Sequence, residues 1–266
     1  MSKIDPMILR VRDVVKNYGG LCAVAGASLD VPRRTTIALV GPNGCGKTSL
    51  LNTIFGLQRA DEGNIYFEGE SIDELPPNQV FARGIVHAFQ FPRLFNQLSV
   101  LDNMLIAARG NRGDRLAGSL FSRRKWHEQE EAMLQKATDT LELMDLTRLT
   151  NEPAGSLSGG QKKLLEISRA IMAEPKLLLL DEPAAGVNPV LAKKIFEKIE
   201  MFRHGGMSLL IIEHRMELIM EFANWVYVMD RGKIVLEGRP SEVAASPLFY
   251  EIYIGGEPGG TDICVS

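Results

Sequence analysis

The stretch Ile37-Ala38-Leu39-Val40-Gly41-Pro42-Asn43-Gly44-Cys45-Gly46-Lys47-Thr48-Ser49-Leu50-Leu51-Asn52-Thr53-Ile54 decides the fold. Its first four residues make a short apolar run, and Ser49 to Ile54 reads as a helix. A strand that turns through glycines into a helix points several backbone N–H groups at one place. The positive end of the helix dipole points there too, so the place suits phosphate. The spacing G-x-x-x-x-G-K-T then predicts roles. Lys47 reaches the β- and γ-phosphates, and the Thr48 hydroxyl holds Mg²⁺. Gly41, Pro42, Asn43, Gly44, Cys45, Gly46, Lys47, Thr48 and Ser49 form the expected cradle for a nucleoside triphosphate.

Composition narrows what surrounds that cradle. The chain has 266 residues, 45% hydrophobic and 24% charged, a balance that suits a globular protein with a substantial core. Its formal net charge of −3 argues against a general polyanion binder, so no nucleic-acid partner is expected. Cys22, Cys45 and Cys264 lie far apart, with neither a disulfide framework nor metal-ligand spacing. The run Leu177 to Leu180 is cut short by Lys176 and Asp181, well below the span of a bilayer. The start, Met1-Ser2-Lys3-Ile4-Asp5-Pro6, has no apolar signal region, and a cytoplasmic chain is expected.

Outward from the cradle, Ile8 to Val40 is strand-like, broken at Tyr18-Gly19-Gly20 and at Pro32-Arg33-Arg34. Ile65-Tyr66-Phe67 predicts a short strand, Pro76-Pro77 opens a helix that Gly84 ends, and Ile85 to Phe89 is the next strand. Ser99 caps a predicted helix through Ala108, with Asp102 in its first turn. A loop rich in Gly and Arg follows, then a helix from Arg123 to Met144 with apolar residues near helical spacing. Gly159–Met172, Pro189–Phe202 and Arg215–Phe222 read as helices. Leu177–Leu180, Ser208–Ile212 and Val226–Met229 read as strands. Strands alternating with helices imply an α/β fold with a parallel sheet covered on both faces.

Two further constellations carry chemistry. Leu177-Leu178-Leu179-Leu180-Asp181-Glu182 is an apolar strand ending in two acids. Beside a phosphate loop, Asp181 can hold Mg²⁺, and Glu182 is placed to orient or deprotonate an attacking water. Leu157-Ser158-Gly159-Gly160-Gln161 makes a second helix start suited to an anion. Two phosphate sites on one chain need two ligands, or one ligand shared between two chains.

These motifs, together with Leu180-Asp181-Glu182-Pro183 and His214 after a strand, resemble in this order the ATPase subunit of ABC transporters. The resemblance spans Ile8 to Ile254. It implies a single unit, a P-loop NTPase core (8–90 and 157–254) with a mixed, mainly parallel sheet and an antiparallel β subdomain. It also implies a helical subdomain over 91–156 and a flexible tail at 255–266. The resemblance further implies a head-to-tail dimer, homomeric or with a second ABC ATPase subunit. That dimer holds two ATP molecules, each between the loop of one subunit and Ser158, Gly159, Gly160 and Gln161 of the other. Tyr18 resembles the aromatic residue that stacks on adenine, and Val24 an aliphatic one that packs on the nucleoside. Gln90 resembles the glutamine that touches Mg²⁺ and the water, and His214 the switch histidine at the γ-phosphate. The apolar loop Phe91-Pro92-Arg93-Leu94-Phe95 looks like the region that meets a membrane permease.

Glu182-Pro183-Ala184-Ala185-Gly186 followed by Asn188-Pro189, the insert after Arg109 and the ending Tyr253-Ile254-Gly255-Gly256-Glu257 are similar to the branched-chain amino acid importer branch. That branch implies a permease, a periplasmic or extracellular solute-binding protein, and a peripheral place on the inner face of the cell membrane. Asn188 departs from the aspartate of many relatives, which puts the usual inter-subunit contact there in doubt. The basic residues Arg109, Arg112, Arg115, Arg123, Arg124 and Lys125 read as a solvated insert, or as a contact with anionic headgroups. Alternative readings are the ATPase of a urea or amide importer, of a lipopolysaccharide exporter, or a soluble ABC protein acting on ribosomes or DNA. The last lacks support, since the chain has neither a second such domain nor a long coiled coil.

Overall fold

The computed structural model describes residues 6–88, 93–108 and 123–254, with backbone alone at 123–127 and 254. Gln90, Phe91, Pro92, the segment 109–122 and the tail 255–266 lie outside the described residues, as do the side chains of Arg123, Arg124 and Lys125. β1 (Met7–Tyr18) and β2 (Leu21–Pro32) form an antiparallel hairpin in which Tyr18 faces Leu21 across Gly19-Gly20. β4 (Glu62–Phe67) pairs with the other edge of β1, and β5 (Glu70–Ser71) completes the order β2-β1-β4-β5. Along β1, where Ile8 is also buried, the alternating core residues Leu9 and Val11 are followed by Val14, a slip of one position. The register shifts there, with Asp13 at φ 48, and the bulge turns Val14 back to the core face.

The second sheet has the order β10-β9-β3-β8-β7-β6. Its strands are β3 (Thr36–Val40), β6 (Ile85–Ala88), β7 (Leu177–Asp181), β8 (Ser208–Ile212), β9 (Trp225–Asp230) and β10 (Lys233–Gly238). All pairs are parallel except β9 with β10. Every residue of β3, β7 and β8 is buried, as a parallel sheet covered on both faces requires. Alternation assigns the faces. Leu177, Leu179, Leu210 and Ile212 join one core with Leu9, Val11, Ile65 and the helix α1 (Lys47–Ile54), whose Leu50, Leu51 and Ile54 are fully buried. Leu178, Leu180, Leu209 and Ile211 join the opposite core.

That second core is helical. α3 (Val100–Ala107), α4 (Arg123–Leu143), α5 (Gly159–Met172) and α6 (Pro189–His204) contribute to it, while α2 (Pro77–Arg83) lies before β6. Ser99 caps α3 in a reciprocal capping box with Asp102, the start signal read from sequence. α5 packs on both α3 and α4. At the far end of the sheet, α7 (Met216–Phe222), α8 (Pro240–Ala244) and α9 (Pro247–Ile254) cover β3 and β9 through Ile219, Val243 and Phe249. Among the described residues, no helix is long and apolar enough to cross a membrane.

Candidate functional site

β3, β8 and β7 are parallel neighbours, so their carboxyl ends share one edge of the sheet. In open α/β sheets that edge is where ligands bind. The glycine loop leaves β3 there, Asp181-Glu182 close β7, and Glu213-His214 follow β8.

The loop is tightly set. Gly41 and Gly46 take φ of 151 and 107. A Cβ on Gly41 would lie 2.1 Å from the Met229 carbonyl oxygen, and one on Gly46 2.0 Å from that of Ala23. Only glycine permits that approach. Lys47 is buried, and its Nζ donates to the carbonyl oxygens of Gly41 at 2.9 Å and Pro42 at 2.8 Å. Gly46 offers α1 no side-chain cap, and no acid stands in its first turn. The first N–H groups of α1 are therefore left for an anion.

Asp181 is buried, with the Thr48 side chain beside it. Burial pushes its carboxyl pKa up, while Thr48 and the Lys47 charge pull it down. A hydroxyl and a carboxylate side by side are hard oxygen donors. They fit Mg²⁺, which binds through one or two carboxylates and completes its shell with substrate phosphates and water. Among the described residues, no group of three or more His, Cys, Asp or Glu could hold a metal alone.

Glu182 follows Asp181 with φ 49, a region costing a non-glycine residue about 1–3 kcal/mol. Its N–H donates to the Ile212 carbonyl at 3.0 Å, and its Oε1 lies 2.9 Å from His214 Nε2. The His214 backbone is fixed in turn, because Glu213 Oε1 accepts from the N–H of His214 at 3.0 Å and of Arg215 at 3.2 Å. Glu213 is buried, and burial pushes its carboxyl pKa up. An open cavity beside the pair is lined by Glu182, Gly186, Val187, Pro189, His214 and Arg215.

The Ser158-Gly159-Gly160-Gln161 segment begins α5. Ser158 Oγ accepts from the Gln161 N–H, and Gln161 Oε1 accepts from the Ser158 N–H at 2.8 Å. Ser158 and Gly159 are exposed. A Cβ on Gly160 would meet Leu191 Cδ2 at 2.2 Å, so that glycine also serves packing within the chain. Asn188 caps α6, its Oδ1 accepting from the Leu191 N–H at 2.9 Å.

Residues 24–185 match the family model described as ABC transporter. The chain belongs to the ABC transporter family. It is 42% identical over 252 residues to a protein of Methanocaldococcus jannaschii named a probable branched-chain amino acid transport ATP-binding protein, LivG. The match covers 93% of this chain and 97% of that protein. The protein of the same name from Archaeoglobus fulgidus is 39% identical, covering 94% of this chain and 96% of its own length. The Escherichia coli high-affinity LivG protein is 32% identical, covering 93% and 98%. Among solved structures, the ADP conformation of an ATP-binding cassette from an ABC transporter superposes with TM-score 0.82 at 41% identity. It covers 94% of this chain and 99% of that one.

The ABC ATPase places its remaining candidates unevenly. Tyr18 is 40% exposed at the end of β1, with Lys16 Nζ 5.8 Å from its ring centroid. Val24 is a correction to the sequence reading, since its side chain is fully buried in the core beneath the hairpin. A bulge at Gly26, φ 85, breaks the alternation of Ala27, Leu29 and Val31 and turns Val24 inward, where it offers no surface to a nucleoside. Gln90 lies outside the described residues. Phe95 is exposed, with the Arg169 guanidinium 5.3 Å from its ring centroid. Its backbone is gripped by Asn103, a residue that sequence reasoning missed. The Phe95 N–H donates to Asn103 Oδ1 at 3.0 Å, and Asn103 Nδ2 donates to the Phe95 carbonyl at 3.1 Å. The signal was an asparagine inside the apolar run Val100 to Ala107, fully buried in the structure.

Proposed function

We propose that this ABC ATPase subunit powers the import of branched-chain or other hydrophobic amino acids. The Glu182–His214 pair beside Lys47, Thr48 and Asp181, at one sheet edge, carries the catalytic part of the reading. The solute class is taken from the names of the relatives. Lys47 and the N–H groups at the start of α1 bind the triphosphate, and Tyr18 stacks on the base. Thr48 and Asp181 would hold Mg²⁺, which when bound supplies charge to the phosphate oxygens. Glu182 accepts the proton of the attacking water, and His214 fixes the direction of that carboxylate while facing the γ-phosphate. Gln90 completes the water and metal contacts.

Ser158 to Gln161 of a second subunit, identical or related, close each nucleotide from the opposite side. Hydrolysis then opens the dimer, and the permease follows that motion through Phe95 and its loop. A solute-binding protein delivers the amino acid from outside, and this subunit sits on the inner face of the membrane. The core and the 91–156 helical insert form one ABC ATPase domain in that cycle, with 255–266 as its tail. The test is uptake of labelled leucine into vesicles carrying this subunit, its permease and the binding protein. ATP-dependent uptake that Lys47→Ala abolishes is expected. ATP hydrolysis without uptake of any branched or aromatic amino acid would contradict the solute class.

A further inference from the structure

The hydroxyl of Tyr253 accepts a hydrogen bond from the N–H of Gly41 at 2.9 Å. Gly41 is the buried first residue of the glycine loop, and none of the roles assigned above uses this contact. The helix carrying the tyrosine is fixed by its own packing. Phe249 is buried with Val40, Val226, Val228 and Val243, Ile252 and Tyr253 pack against the same cluster, and the Phe249 and Tyr253 ring centroids are 4.6 Å apart. Val40 ends β3, so the hydroxyl is set by the very core from which the loop departs. Tyr253 is itself half-buried against this cluster, and burial pushes its pKa up to about 12. It stays a neutral hydroxyl at any ordinary pH.

Gly41 has little freedom on its other side, where a Cβ would strike the Met229 carbonyl oxygen at 2.1 Å. The loop is also tied at Cys45, whose carbonyl accepts from the Gly232 N–H at 2.9 Å. Gly232 in turn accepts from the Ala25 N–H at 2.8 Å. The loop is thus held at Cys45 by the β9–β10 hairpin and at Gly41 by α9. Gly41 donates to Tyr253 and accepts from Lys47 Nζ at 2.9 Å, so one glycine links the C-terminal helix to the phosphate-binding amine.

We propose that Tyr253 is a positioning residue for nucleotide binding, holding the glycine loop in its phosphate-binding form through Gly41 and making ATP affinity depend on the docked C-terminal helix. This rests on the reading of residues 41–48 as the ATP site. Without the hydroxyl, the buried Gly41 N–H has no partner, and buried unpaired donors are costly. The loop relieves that cost by moving until the N–H reaches water, and in doing so it leaves the cradle form. Only the fraction still in the cradle form binds, so the apparent Kd rises as that fraction falls.

The test compares Tyr253→Phe with Tyr250→Phe in the full chain. Tyr250 is on the same helix and 54% exposed. Tyr253→Phe is expected to raise the Kd and KM for Mg-ATP roughly 5–30-fold, with kcat at saturating ATP within about twofold. Tyr250→Phe is expected to match the unmodified chain. A Tyr253→Phe protein with a lowered Tm and an unchanged Kd and KM would reduce the contact to a structural one and overturn the proposal. Should that variant not fold, amide exchange at Gly41 in the unmodified chain decides. Protection comparable to β3 is expected, and rapid exchange would overturn the tether. Failure of the unmodified chain to bind Mg-ATP would overturn the ATP site itself, a result distinct from a missing effect of Tyr253.

Discussion

His214 Nε2 lies 2.9 Å from Glu182 Oε1, joining the ends of two parallel neighbours, β8 and β7. The pairing is built into the backbone. Glu182 donates its N–H to the Ile212 carbonyl at 3.0 Å, and the chain then passes through Glu213 to the histidine. Glu182 is held in a left-handed conformation, φ 49, that aims it at the ring. In the proposed reaction this fixed carboxylate takes a proton from water at the adjoining cradle.

His214→Ala removes the histidine partner of that carboxylate without touching the loop. The kcat for ATP is expected to fall about 10²-fold, with the Kd for ATP within a few-fold of the unmodified chain. Steady-state kinetics and nucleotide titration check this. An unchanged kcat would remove His214 from the catalytic machinery.

Tyr18 is exposed at a strand end, and Lys16 is its near neighbour. If the ring supplies a face to adenine, Tyr18→Ala should weaken ATP binding by about 0.5–1.5 kcal/mol while Tyr18→Phe binds normally. Equal affinities for all three proteins would reject the stacking role.

Phe95 projects from a loop clamped by Asn103. Phe95→Asp is expected to spare ATP hydrolysis by the isolated subunit and to weaken its co-purification with the permease. A charge buried in an apolar contact is costly. Recovery of full complex would count against this docking point.

His87 is a buried residue of β6 with its ring edge-on to Phe55, centroids 5.6 Å apart. Burial, helped by the nearby Arg93 charge, lowers its pKa to about 4 from 6.5. The unfolded chain therefore binds more protons between those values, so this contribution is full above pH 6.5 and is lost as pH falls towards 4. The loss is on the order of 1–3 kcal/mol. Denaturant melts at pH 5 to 6.5 should show the slope, and His87→Gln should flatten it. An unaltered slope in the variant would assign the loss to other groups.

Much of this was legible because it is local. The glycine loop, the capping boxes at Ser99 and Ser158 and the apolar runs of β3, β7 and β8 declare themselves within a few residues. The β9–β10 hairpin was missed, although Arg231 and Gly232 both take positive φ, the demand of a two-residue hairpin turn. Gly232 after Asp230-Arg231 was its trace. Val24 was placed against a nucleoside by position, whereas its burial depends on how the bulged β1 pairs with β2. The Tyr253–Gly41 bond joins residues 212 apart, and no spacing rule announces such a pair. Gly160 also packs against Leu191 of its own chain, an approach invisible in the motif that contains it.

The proposed shared nucleotide site is the centre of the mechanism, and Glu182→Gln measures it most directly. The variant keeps shape and a hydrogen bond but loses the proton acceptor, so turnover should fall about 10²–10⁴-fold. Lys47 and Thr48 are untouched, so ATP still binds, and it acts as a ligand for the dimer by mass action. At saturating Mg-ATP the variant should elute from gel filtration as a dimer, and adding Ser158→Arg should return it to monomer. A Glu182→Gln protein that stays monomeric with ATP bound, or hydrolyses it at the unmodified rate, would contradict the shared site or the role of Glu182.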